Sequence, residues 1–112
     1  MIRGGVYQVN LGPIHGADRG DEQRGKRYGI LVSPSSSPLS VVTVVPTSSS
    51  AQAGVYHPEF DFDGRPTVAL VEQTRAIDIR FVGEMVGFLT QQQMWEVDQS
   101  LTGYLGLVPQ SS

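Results

Sequence analysis

Apolar and polar positions alternate over Gly5-Val6-Tyr7-Gln8-Val9-Asn10-Leu11, apart from the Val6-Tyr7 pair, and Gly12-Pro13 stops the run. A period of two places successive side chains on opposite faces of a strand, so this segment predicts a strand with one buried face. Residues 28–33 predict a second strand, closed by Pro34-Ser35-Ser36-Ser37-Pro38, where two prolines exclude helix. Residues 39–45 are apolar at nearly every position and rich in β-branched side chains, the pattern of a central strand covered on both faces. Residues 55–62 are strand-like, but Pro58 cannot donate to a ladder and moves this element to a sheet edge. Asp63-Gly64-Arg65-Pro66 supplies turn chemistry. Another inner strand follows over 67–71, and the last one lies within 81–89, centred on 84–88.

The period changes after Leu89. Thr90 can cap a helix, Gln93 stands three residues on as in a capping box, and Leu89 can staple to Met94. Met94, Val97, Leu101, Tyr104 and Leu105 then recur at helical spacing and predict one apolar stripe facing the sheet. Gly103 and Gly106 end the pattern, and residues 108–112 read as a loose tail after a single domain over 1–107. Residues 12–26 carry no periodicity and predict a long loop; residues 48–54 are small and polar, a flexible connection. Several strands followed by one helix, with no strand–helix alternation, argue against a doubly wound sheet. The fold class is mainly β: a small antiparallel barrel or strongly curved sheet closed by a C-terminal α-helix.

Composition narrows the function. The chain has 112 residues, no cysteine, two histidines and a formal net charge of −3. Absence of cysteine excludes a disulfide framework, a thiolate nucleophile and cysteine-ligated zinc. His15 and His57 have no second ligand at helical spacing, so a metal centre is not expected. With no apolar run near the roughly 18 residues that cross a bilayer, and no signal-peptide pattern, a cytoplasmic protein is expected. The charge is unevenly spread: Arg19, Arg24, Lys26 and Arg27 fall in one loop, whereas only acids follow Arg80. Such a local field suits a site that grips a few phosphates better than a surface that coats a duplex.

Three patches could carry that chemistry. Gly20-Asp21-Glu22-Gln23-Arg24-Gly25-Lys26-Arg27 is cationic and runs directly into the second strand. Much of it could be a solvated hairpin end, but Arg27 abuts the second strand and so has a fixed backbone from which to project, and a guanidinium offers phosphate a planar fork that stays charged. Glu22 could orient Arg24 or Arg27. Thr47, after Val45-Pro46, could cap the backbone or donate to a phosphate oxygen. Arg75 and Asp78 could form a salt bridge over a short turn, or serve as a cation for a phosphorane beside a carboxylate that takes a proton. Attack of RNA's own 2′-hydroxyl on its phosphate needs only such groups.

In this order and at these separations the patches resemble the MazF/PemK/Kid family of toxin endoribonucleases over about residues 3–107. Arg3-Gly4-Gly5-Val6-Tyr7 is similar to the family's R-G-(D/E)-(I/V)-(W/Y) start, and the cationic loop to its G-x-E-Q-x-G-x-R. Val45-Pro46-Thr47-Ser48 is similar to its strand end, and Glu72-Gln73-Thr74-Arg75-Ala76-Ile77-Asp78 to its D/E-Q-x-R-T-I-D segment. The resemblance implies an SH3-like or CcdB-like barrel that works as a homodimer, and a metal-free, cofactor-free enzyme. It would cut single-stranded RNA at preferred sequences, leaving a 2′,3′-cyclic phosphate and a 5′-hydroxyl. A cognate antitoxin would block the same groove. It also implies Arg27, Thr47, Arg75 and Asp78 as catalytic positions, with Glu22, Gln23, Arg24, Lys26 and Gln73 contacting RNA. The chain departs from the pattern where Tyr28 replaces proline and could stack on a base, where Asp21 replaces histidine, and where Ala76 replaces threonine.

Two other functions fit the same fold class: a CcdB-like gyrase poison, or a non-catalytic SH3-like binding module. The first resemblance implies dependence on C-terminal residues that often include a terminal tryptophan. Here Trp95 lies within the helix and the chain ends Pro109-Gln110-Ser111-Ser112.

Overall fold

A computed structural model describes residues 1–11 and 27–107 of the chain. The expected loop over 12–26 and the tail over 108–112 therefore lie outside the described residues. Among the described residues, seven strands precede a helix: β1 (Gly5–Val9), β2 (Arg27–Leu31), β3 (Val41–Ser48), β4 (Glu59–Phe62), β5 (Arg65–Ala69), β6 (Arg75–Asp78) and β7 (Val82–Phe88). The helix α1 spans Gln91–Leu105. Strand order is β4-β5-β3-β2-β1-β7, with β6 also on β3, and the pairings are antiparallel.

The sheet curls. Asn10 donates its backbone N–H to the Phe81 carbonyl at 2.9 Å, and Arg75 Nη1 reaches the Leu11 carbonyl at 3.2 Å. The end of β1 thus meets the start of β6 although β2 and β3 separate them in sheet order. Each face of the curl buries its own core. Val6, Ile30, Val45, Phe60, Ala69 and Val71 pack with Val97 of α1 on one side; Tyr7, Val9, Leu11, Leu31, Val42, Val44 and Ile77 fill the other. Alternation along each strand deals residues to the two layers in turn, which is why Val44 and Val45 are both fully buried yet belong to different ones.

Local chemistry explains the turns. Asp63 and Gly64 adopt φ of 56° and 79°, the doubly left-handed pair that joins strands in a two-residue hairpin. That turn is shorter than expected, because Arg65 and Pro66 already belong to β5, where Pro66 stands opposite Asp61 of the edge strand β4. Pro46 also lies inside a strand instead of after it. Its carbonyl accepts from Leu70 N at 2.8 Å, so its nitrogen points to the same side, where the partner of β3 changes from β6 to β5 and no ladder donor is lost.

Helix α1 opens as expected. Thr90 Oγ1 accepts from Gln93 N at 3.1 Å and Gln93 Oε1 accepts from Thr90 N at 2.8 Å, a box whose cap contributes about 1 kcal/mol. Leu89 is buried beside Met94, and Gly106 closes the helix at φ 72°. The apolar stripe is shorter than expected. Val97 and Ser100 are buried, but Tyr104 and Leu105 are exposed where the helix passes the 55–56 segment. There Ser100 Oγ donates to the Val55 carbonyl at 2.7 Å and Tyr104 packs edge-on against Tyr56.

Candidate functional site

Arg27 is the first residue of β2 and faces Val9 across the β1 ladder. Because Val9 belongs to the core opposite the helix, the Arg27 side chain leaves from that face. It is half-buried and makes no hydrogen bond or ion pair with any described residue. A strand-anchored fork without an acceptor among the described residues is a ready site for an anion.

Its neighbour Tyr28 is turned the other way. The ring packs on the helix-side core, 5.4 Å from Phe62. Thr47 shares the face of Val45 and stands opposite Ala69; its Oγ1 donates to the Tyr28 carbonyl at 3.4 Å. Arg27 and Thr47 thus flank one strand end from opposite faces. Ser48, one residue on, falls on Arg27's face, but its Oγ accepts from Ser50 N at 3.1 Å and Ala51 N at 3.0 Å and shapes the following loop.

The segment 75–78, for which the sequence admits a salt bridge over a short turn as one of two readings, is the short strand β6 against Val41 to Val44 of β3. Alternation sends Arg75 to the face of Ile77 and Asp78 to the other, so the two are not a pair. Arg80 takes the carboxylate instead. Its N–H and Nε lie 2.8 and 3.1 Å from Asp78 Oδ1, and Nη2 lies 3.2 Å from Oδ2. The side-chain bonds from Arg80, and then its backbone N–H, hold the Asp78 carboxyl below the usual carboxylate range. Arg75 spends one donor on the Leu11 carbonyl and remains exposed. It lines a cavity of about 400 Å³ with Asn10, Leu11, Ala76, Ile77, Asp78 and Phe81, a size that admits a nucleotide-sized ligand. Gln73 is exposed in the one-turn 3-10 helix that precedes β6. Glu22, Gln23, Arg24 and Lys26 lie outside the described residues.

One pair escaped the sequence reading. His57 Nδ1 meets the Gln52 carbonyl at 2.8 Å, and Nε2 meets Glu72 Oε1 at 2.9 Å and Oε2 at 3.1 Å. Bonding to the Gln52 carbonyl first, then to Glu72, raises the His57 pKa above 6.5. Partial burial pushes the Glu72 carboxyl upward, but bonds from His57, its own turn and Gln73 leave it lowered on balance. Fifteen residues separate the two, a distance at which no periodicity pairs side chains.

The family described as PemK-like, MazF-like toxin of type II toxin–antitoxin systems matches residues 2–105. A candidate toxin of Mycobacterium tuberculosis is 50% identical over 108 residues, covering 96% of this chain and 99% of that one. Endoribonuclease MazF of Staphylococcus epidermidis is 28% identical over 113 residues, covering 94% and 91%. Among solved structures, MazF of Deinococcus radiodurans superposes with a TM-score of 0.78 at 22% identity, over 96% of this chain and 97% of that one.

Proposed function

Because the chain belongs to the PemK-like, MazF-like toxins of type II toxin–antitoxin systems, we propose that it is an endoribonuclease that cuts single-stranded RNA without a metal. The observation that carries this reading is Arg27: a guanidinium fixed by β2, half-buried and without a described partner. In the proposed reaction the 2′-oxygen bonds to the adjacent phosphorus and the bond from phosphorus to the 5′-oxygen breaks. One proton leaves the 2′-hydroxyl and one joins the departing oxygen, giving 2′,3′-cyclic phosphate and 5′-hydroxyl ends. Arg27 holds the phosphate and the charge it gains; Thr47, on the opposite face with its hydroxyl on the Tyr28 carbonyl, holds the strand end from which Arg27 projects. Arg75 binds a flanking nucleotide through the cavity beside it. Asp78, bridged by Arg80 and lowered in basicity, is a weaker proton acceptor than a free carboxylate.

The test is purified protein, excess chelator and a mixed-sequence single-stranded RNA. Fragments with cyclic-phosphate ends and a restricted set of cut sites are expected; intact RNA, or cleavage only when metal is restored, would overturn the reading. The toxin acts in the cytoplasm, where messenger RNA is accessible, until a cognate antitoxin covers the Arg27 face. Among the described residues no helix is long and apolar enough to cross a membrane.

The protein also works as a homodimer in this proposal. Among the described residues β7 ends the sheet order with one edge unpaired, and Met85, Val86 and Phe88 are 41%, 39% and 74% exposed along it. An apolar strand edge of this kind is a template for pairing. Light scattering should give twice the chain mass, and Phe88→Asp should shift it toward the monomer; a monomeric unmodified protein at micromolar concentration would refute the dimer.

A further inference from the structure

We infer that the His57 imidazolium positions the proposed RNA site, by holding the loop that leaves Thr47 and Ser48 against the turn that leads into Gln73 and Arg75. The inference rests on the ribonuclease reading above.

Both ends of the tie are built. After Thr47 the chain turns on Ser48 Oγ, which accepts from Ser50 N and Ala51 N, and reaches Gln52. Gly54 and His57 then exchange backbone bonds of 3.2 and 3.0 Å. Ala69 N donates to the Pro58 carbonyl and Val71 N to the Tyr56 carbonyl, which sets His57 opposite Leu70. Since Tyr56 faces α1, its neighbour His57 faces away from the helix, toward the side from which Arg27 projects. Beyond Glu72, Thr74 Oγ1 and Thr74 N both donate to the Val71 carbonyl, and β6 begins at Arg75. One imidazole therefore joins the loop of the Thr47 patch to the turn of the Arg75 patch.

Its two contacts require a charge. Each ring nitrogen faces an oxygen that can only accept, a carbonyl at Gln52 and a carboxylate at Glu72. Neutral imidazole has one N–H, so one contact must then turn a lone pair toward an oxygen; the imidazolium donates at both. Glu72 faces the ring from the turn, and Glu59 lies two residues along β4, exposed. The loop from Ser48 to Gly54 carries no ionisable side chain, and the acids of α1 are engaged elsewhere, Asp98 with Arg3 and Glu96 with Gln92. The raised value agrees with this arrangement. With the folded pKa above the unfolded one, the contribution is complete below about pH 6.5 and is lost as pH rises through the raised value.

The experiment measures, from pH 5.5 to 8.5, the ring titration of His57 and amide exchange over 52–57 and 72–75 by NMR. The dissociation constant of an uncleavable 2′-O-methyl oligoribonucleotide is measured beside them. Affinity of the unmodified protein should fall several-fold as His57 deprotonates, with amide protection lost in step. Glu72→Gln should move that fall to lower pH. His57→Gln should flatten it and leave the weak, high-pH affinity throughout. A profile unchanged by either substitution overturns the inference, as does a His57 that titrates without any change in those amides. If the amides follow His57 but RNA is neither bound nor cut at any pH, the ribonuclease reading fails while the tie itself stands.

Discussion

Arg27→Ala is expected to lower RNA cleavage by at least about 10²- to 10³-fold, the scale of removing one preorganised donor from a developing charge. Its melting temperature should stay close to that of the unmodified protein. The two outcomes separate because the guanidinium makes no bond to a described residue, whereas β2 is held by its backbone pairs and by Ile30 and Leu31. Arg27→Lys should recover only part of the rate, since an ammonium is a point charge without the planar fork that accepts two phosphate oxygens. Initial rates on a defined RNA, with thermal melts beside them, check both. A loss under tenfold would remove Arg27 from the centre of the site, and a collapsed melt would make the rate uninformative, leaving Arg27→Lys to decide.

Ile30→Ala should cost about 3 kcal/mol and lower the melting temperature by roughly 10 °C. Ile30 is 0% exposed and stands between Val6 and Val45 in the ladders of β2. It also belongs to the core that receives Val97. Deleting three of its carbons leaves a cavity between sheet and helix that backbone-fixed neighbours cannot close. Chemical denaturation should show the loss in the midpoint with little change in slope. A cost under about 1 kcal/mol would mean that the helix is not the lid of this layer.

Legibility varied with the range of the interactions involved. The capping box of α1 needs only Thr90 and Gln93, three residues apart, and it was readable in full. The short strand β6 was not: Arg75-Ala76-Ile77-Asp78 has one strongly β-prone residue, and its extension comes from pairing with β3, more than thirty residues earlier. The same strand geometry separated Arg75 from Asp78, two charges that look like partners in the chain. Arg80 reached the carboxylate because a 3-10 turn, Ile79–Phe81, folds it back over Asp78.

The sequence by itself determined the helix with its caps, every strand except β6, the antiparallel class and the family, because these follow from periodicity, turn chemistry and ordered motifs. It also singled out Arg27, the strand-borne member of a cationic run. Only the tertiary structure decided which side each candidate faces: Arg27 away from the helix, Thr47 and Tyr28 toward it, Asp78 onto Arg80. It alone joined His57 to Glu72. The physical reason is that a strand's alternation assigns faces only after its register is set, and register here comes from partners far along the chain.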